Sequence, residues 1–277
     1  MNLRWLILLA VCGLAAHGED WQTTLTPIAP GSFPALRPLQ ATYRFGWGKF
    51  SAATATFDYS KPKADLLKLD VTARSEGFVR SLWRMDATQT ALCHADTLRP
   101  LSAEQTETYK REELKTQLDF DAVGVARLRV SKPPDKNPPK TKRFDFPAVF
   151  DLYSALLFVR SQPLQPGDVV RLVVYPATAP YLAEISVLAR EKVEVNKQSR
   201  DALKLSVKLQ RISKKLQLES HKKFKRATAW LSDDNDRLLL KIAAEIAVGH
   251  VWAEMDSVKF GGEQAGSVDP NPAQSPR

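Results

Sequence analysis

Cys93 and His94 stand side by side, a thiol next to the kind of imidazole that activates such a nucleophile. Neighbours on a strand point to opposite faces, so the pair reads as incidental. Asp233-Asp234-Asn235-Asp236 sets four oxygen-bearing side chains in a row, a group that can hold calcium. Leu238 and Leu239 then fall where a twelve-residue calcium loop needs its turn glycine and its next ligand. A turn between two strands, with Asp and Asn bonding their own backbone, fits better. Beyond His17 the histidines are His94, His221 and His250, and none has a metal-ligand partner at helical spacing. There is no G-x-S-x-G elbow, phosphate loop or dinucleotide fingerprint, and Ser154 is a nucleophile only in the sense that any serine is. For paired-carboxylate glycoside chemistry no second partner stands out. The residues therefore assign no catalytic, cofactor-binding or metal site.

The charge pattern says more. The formal net charge is +9. Eleven basic residues lie between Lys197 and Arg226, opposed by Asp201 and Glu219 alone, so this segment carries the whole excess. Lys204, Lys208, Arg211, Lys222, Lys223, Lys225 and Arg226 form the candidate face for an anionic ligand, against the plain alternative of a solvated basic face. The partners that suit it are lipid headgroups, lipopolysaccharide or acidic glycans, since the leader described next makes nucleic acid a poor candidate.

Residues 1–18 have the form of a secretory leader: Arg4, an almost wholly apolar run over 5–16, and small residues at Ala16 and Gly18 before a cut ahead of Glu19. The run is too short to anchor in a bilayer, which takes about 20 apolar residues. Cys12 as the lipid-modified residue of a lipoprotein is the less favoured reading, because Val11 ahead of it is not small. With Cys12 in the leader, Cys93 is the one remaining cysteine and cannot form an internal disulfide. The chain is thus expected to be exported, periplasmic and soluble. Its length without the leader suits one large domain.

Residues 19–40 carry Pro27, Pro30, Pro34 and Pro38 and read as an extended lead-in rather than a packed element. Residues 261–277 read as a mobile tail. Over 41–260 the dominant period is two, as in Leu203, Leu205, Val207 and Leu209 alternating with Lys204, Ser206, Lys208 and Gln210. Further strands are expected at 54–59, 67–72, 83–91, 104–109, 115–121, 126–130, 169–175, 183–189, 224–231, 239–247 and 251–260. Prolines at 133, 134, 138 and 139 mark a stiff loop within the domain. Trp47, Trp83, Trp230 and Trp252 lie in expected strands and are assigned to the core. One segment, about 150–160, has helical period through Leu152, Ala155, Leu156 and Val159, with Asp151 as its cap and Arg160 in its last turn. The expected fold is all-β: a closed or nearly closed antiparallel meander barrel with this one short helix at its mouth.

Three passages in order carry a resemblance. They are Asp151-Leu152-Tyr153-Ser154-Ala155-Leu156-Leu157-Phe158-Val159-Arg160 followed by Pro166-Gly167; Glu191-x-Val193-x-Val195 leading into 202–209; and Trp230-Leu231-Ser232-Asp233-Asp234 with Arg237 and then Gly249. With Tyr43-x-Phe45-x-Trp47 and 52–57 at the start, the chain over 39–260 resembles a bacterial exported-protein family catalogued as domain of unknown function 3108. It departs at Leu152 and in Leu238-Leu239-Leu240, where the family tends to have proline. The resemblance implies an exported, mostly antiparallel, barrel-like protein and no catalytic residues. Asp151, Ser154, Arg160, Trp230, Asp233, Asp234 and Arg237 enter as structural markers: caps, turns and an ion pair. Three readings stand: a non-enzymatic binder or carrier of an apolar or anionic envelope component; an envelope scaffold with a solid core; and, with least support, a hydrolase of an envelope polymer.

Overall fold

The computed structural model describes residues 20–134, 138–220, 224–246 and 249–261. Alternating sequence becomes one sheet of sixteen strands. From β1 (Leu39–Trp47) it grows one way through β2 (Phe50–Lys63), β3 (Leu66–Ser75), β4 (Met85–His94), β5 (Pro100–Tyr109), β6 (Glu112–Phe120), β7 (Gly124–Lys132) and β8 (Lys142–Asp145). The other way it passes through β16 (Gly249–Phe260), β15 (Leu239–Ile246), β14 (Phe224–Ser232), β12 (Gln198–Ile212), β11 (Tyr181–Val195) and β10 (Val169–Val174) to β9 (Val149–Phe150). A short β13 (Leu218–Ser220) pairs with β12. Every pairing is antiparallel except β9 with β10.

The sheet is not closed, so of the expected closed or nearly closed barrel the closed form is not the one this chain builds. Its edge strands β8 and β9 follow one another in sequence but make no ladder with each other. Only Phe146, Pro147 and Ala148 join them. β9 pairs in parallel with β10 instead.

The lead-in is packed at this seam, against expectation. Asp20 caps a short 3-10 turn, Trp21–Thr24. Trp21 is buried, stacks on Phe146 with ring centroids 5.5 Å apart, and donates its indole N–H to Leu216 O at 2.8 Å. Thr26 N donates to Arg171 O at 2.9 Å, and Arg171 N donates to Thr26 Oγ1 at 2.9 Å, satisfying β10 beyond its short pairing with β9. Prolines keep the segment extended without keeping it out of the fold, and an edge strand with unpaired backbone groups is a place to dock. Trp21→Ala is expected to lower the free energy of unfolding by about 3 kcal/mol and to speed proteolysis near residues 146–148. An unchanged denaturation midpoint would contradict the latch.

Helix α2 (Leu152–Ser161) matches the periodic segment and packs between two core clusters. Eight of its ten residues are buried. Tyr153 and Leu157 join one core cluster, with Tyr59, Leu67, Ala91 and Leu118. Ala155, Phe158 and Val159 join another, with Phe150, Leu203, Leu205 and Leu231. A helix between two apolar surfaces needs apolar residues nearly all round, and only Leu152 is exposed. A second helix, α1 (Gly77–Leu82), interrupts the path from β3 to β4, where the sequence suggested a strand from Trp83. Gly77 has φ 54°, a left-handed conformation that turns the chain out of β3. The core assignment fails for two tryptophans: Trp47 is 54% exposed and Trp83 52%. Trp230 and Trp252 are half-buried, and Trp21 is the tryptophan the core takes.

Candidate functional site

In the described part of the basic segment, two lysines of β12 are paired with acids of β11. Lys204 Nζ lies 3.2 Å from Glu191 Oε2, and Lys208 Nζ lies 3.1 Å from Glu184 Oε1. Arg171 holds Glu184 from the other side at 2.9 Å. Acids on β11 stand across from lysines on β12, so the ladder neutralises itself. The Trp230 indole N–H, donated to Glu191 Oε1 at 2.8 Å, holds the Glu191 carboxyl below its usual range, with Lys204 adding to the effect. Arg211 and Arg226 are exposed at the ends of their strands, and Lys225 lies in β14. Lys222 and Lys223 fall outside the described residues.

The motif residues gather around the ends of α2. Asp151 Oδ1 accepts from Ser154 N at 2.8 Å, closing the first turn. Asp234 Oδ1 accepts from Asp236 N, Arg237 N and Ser232 Oγ at 2.9, 3.0 and 2.7 Å, and so fixes the β14–β15 turn. That turn presents Arg237 to the far end of α2. There its guanidinium donates to the carbonyls of Arg160, Gln162 and Pro163 and lies over the Phe33 ring, 3.4 Å from its centre. Arg160 in turn donates to Pro34 O at 2.9 Å and Asp236 O at 2.8 Å. Asp233 pairs with Arg190. Asp151, Ser154, Arg160, Asp234 and Arg237 thus tie helix, turn and lead-in together.

Cys93 is 0% exposed, while His94 is exposed on the opposite face. Burial, with a contribution from the Asp151 charge, pushes the thiol up to about 12. Tyr59 is lifted to about 12 and Tyr153 is raised further, in both cases chiefly by burial. Their rings meet edge-on at 5.8 Å, and neither hydroxyl has a hydrogen-bond partner among the described residues. Burial holds the thiol and both phenols in their neutral forms at neutral pH, so none of the three is poised as a nucleophile. No three His, Cys, Asp or Glu side chains among the described residues come together as a metal site.

A trough on the outer face of β2–β5 is different. Its volume is about 590 Å³. Two cross-strand rows build it. Thr54, Arg74, Asp86 and Thr108 are paired in register, as are Thr56, Thr72, Thr88 and Thr106. The second row runs on through Thr42 of β1 to Ser257 of β16. Six hydroxyl side chains therefore stand in line across six adjacent strands, at the strand spacing of about 4.8 Å. The charges are balanced at the upper edge: Arg80 holds Asp86 at 2.9 Å, and Thr54 Oγ1 donates to Glu76 Oε1 at 2.7 Å. Sequence reasoning missed the row. Its trace is threonine recurring at the same parity, at 42, 56, 72, 88 and 106, and only the strand register shows these positions to be neighbours.

A family model described as "Protein of unknown function (DUF3108)" matches residues 42–256. No curated protein is significantly similar to the chain. Among solved structures, the β-barrel-like DUF1849 protein of Brucella abortus aligns at TM-score 0.53 and 7% identity, covering 83% of this chain and 100% of that one. A DUF1089 family protein of Pseudomonas aeruginosa aligns at TM-score 0.35 and 11% identity over 70% of this chain and 90% of that one. At such identity the first of these speaks to the fold alone.

Proposed function

The chain belongs to the DUF3108 family of unknown function, and from that premise we propose that it is an exported, non-enzymatic binding protein of the cell envelope whose threonine trough takes a hydroxyl-rich glycan segment. Export rests on the leader in residues 1–18, which lie outside the described residues. No helix among the described residues is long and apolar enough to cross a membrane.

The observation that carries the proposal is the in-register hydroxyl row in a trough of about 590 Å³. Each threonine offers one donor, two acceptors and a methyl group. Pyranose rings present the same mixture of hydroxyls and C–H faces. The row runs across the strands for about 24 Å, five spacings of about 4.8 Å, long enough for several sugars in succession. The non-enzymatic part is supported by the state of Cys93, Tyr59 and Tyr153, none of which ionises near neutral pH. Threonine pairs also stabilise sheets simply by lying opposite one another. The trough is thus open to a direct test.

The carrier reading with a hollow apolar interior has less behind it, since α2 packs between the two core clusters. One observation keeps an apolar ligand in play: a crevice of about 290 Å³ between the lead-in and β10, lined by Leu25, Pro27, Ile28, Phe150 and Phe158.

Full-length protein purified after export should be retained on immobilised peptidoglycan and on arrays of envelope glycans. Thr72→Val/Thr88→Val keeps shape and strand preference but removes two hydroxyls. It should bind at least tenfold more weakly, with an unchanged melting temperature. Retention by no glycan, or equal retention of the variant, would overturn the proposal. Uptake of a fluorescent fatty acid instead would favour the crevice.

A further inference from the structure

One end of the sheet gathers five of the ten exposed large apolar side chains among the described residues. Trp47 closes β1 and Phe50 opens β2; Phe78, Leu82 and Trp83 belong to α1 and its C-cap, between β3 and β4. All five are more than half exposed. The elements adjoin: β1, β2, β3 and β4 are consecutive in the sheet, and α1 packs on β2. Trp83 stacks on Tyr109 of β5 at 5.6 Å, extending the patch by one more strand. Five strands at about 4.8 Å make it about 20 Å wide. Helix α1 buries none of its six residues and has no side-chain N-cap. A helix so short has little stability of its own, and in this fold its apolar side chains gain nothing by burial.

The turns at the same end are basic. Lys49 lies in the β1–β2 turn, and Lys110 and Arg111 form the β5–β6 turn. Lys110 N donates to Arg84 O at 3.2 Å, which fixes that turn beside the C-cap of α1. Lys214 and Lys215 follow β12, whose last residues reach the same end through β14, β15 and β16. These five side chains are exposed, and none has an acidic partner among the described residues. The two halves of the pattern complement an anionic bilayer. Trp, Phe and Leu suit the boundary between headgroups and acyl chains, and Lys and Arg suit the negative headgroups around it.

We propose that this end of the sheet docks on an anionic lipid surface, with Phe50, Phe78, Leu82 and Trp83 entering the interface and Lys49, Lys110 and Arg111 meeting the headgroups. Docking holds the molecule end-on, with the sheet upright on the membrane. The inference does not depend on what the trough binds.

The test is co-sedimentation of the full chain with vesicles of phosphatidylglycerol and phosphatidylcholine at 1:3, and with phosphatidylcholine alone. The wild type should bind the anionic vesicles at low salt, bind the neutral ones at least tenfold more weakly, and come off as salt rises. Phe78→Ser/Leu82→Ser should lose at least tenfold in affinity for anionic vesicles at an unchanged melting temperature. Phe50→Ser, outside the helix, should lose affinity in the same direction even if the double variant disturbs α1. Lys110→Glu/Arg111→Glu should abolish the preference for anionic lipid. Failure of the wild type to bind anionic vesicles would overturn the proposal, as would wild-type binding by all three variants. So would a dimer that the Phe78/Leu82 variant dissociates without any vesicle binding by the wild type, because the patch would then belong to a second copy.

Discussion

Arg237→Ala is expected to lower the free energy of unfolding by about 4 kcal/mol. The guanidinium is buried and donates to three carbonyls at the end of α2. The Arg160 carbonyl is among the groups a helix end leaves without intrahelical partners, and Gln162 and Pro163 follow it as the chain leaves the helix. Alanine removes the donors and leaves the acceptors in the interior, and the desolvation of each is then uncompensated. The loss spreads further, because Phe33 packs on the guanidinium face and Arg160 ties the same corner to Pro34 and Asp236. Arg237→Lys keeps a charge but not the planar fork, and should recover less than half of the loss. Urea denaturation of the three proteins checks this. A loss below about 1 kcal/mol in the alanine variant would mean that the corner is held by something else.

The second large effect concerns Asp151 and pH. Burial lifts its carboxyl to about 6, against an ordinary value of 3.8, even though Ser154 bonds it. Its other oxygen, Oδ2, has no partner among the described residues. Between about pH 4 and 6 the folded protein therefore holds a proton here that the unfolded chain has released. Stability from this group is full below pH 4, falls through that window, and is flat above it. The cost at neutral pH is about 3 kcal/mol. Asp151→Asn keeps an oxygen for Ser154 N and carries no charge. It should be about 2–3 kcal/mol more stable than the wild type at pH 7.5 and show no gain at pH 4. The comparison must be variant against wild type, because Asp70, Asp121 and Glu191 have lowered values and push overall stability the opposite way with pH. A variant less stable than the wild type at pH 7.5 would show that the buried charge has a partner.

What was legible in the sequence was whatever a local period encodes. The alternation of Leu203 to Leu209 gave β12, and the three- and four-residue steps around Leu156 gave α2 with its Asp151 cap. Family membership, too, was readable from motif order. What failed were statements about neighbours distant in sequence. Lys204 and Lys208 look free along the chain, because Glu184 and Glu191 meet them only through the register of β11 with β12. Trp21 looks like part of a proline-rich tether, because Phe146 and Leu216 lie more than a hundred residues away. Trp47 and Trp83 look like core because their type is apolar, yet exposure depends on where a strand ends. The expectation of a closed or nearly closed barrel left closure undecided for the same reason: closure depends on whether β8 reaches β9, and no period reports that.

The threonine row on the outer face is the proposed binding surface. Methyl NMR of threonine-labelled protein, titrated with the soluble glycan that binds best, tests it most directly. Saturable shifts are expected at Thr56, Thr72, Thr88 and Thr106, fading toward Thr42, with Thr26 and Thr228 unmoved. Shifts confined to methyl groups elsewhere, or none at glycan concentrations that retain the protein, would contradict it.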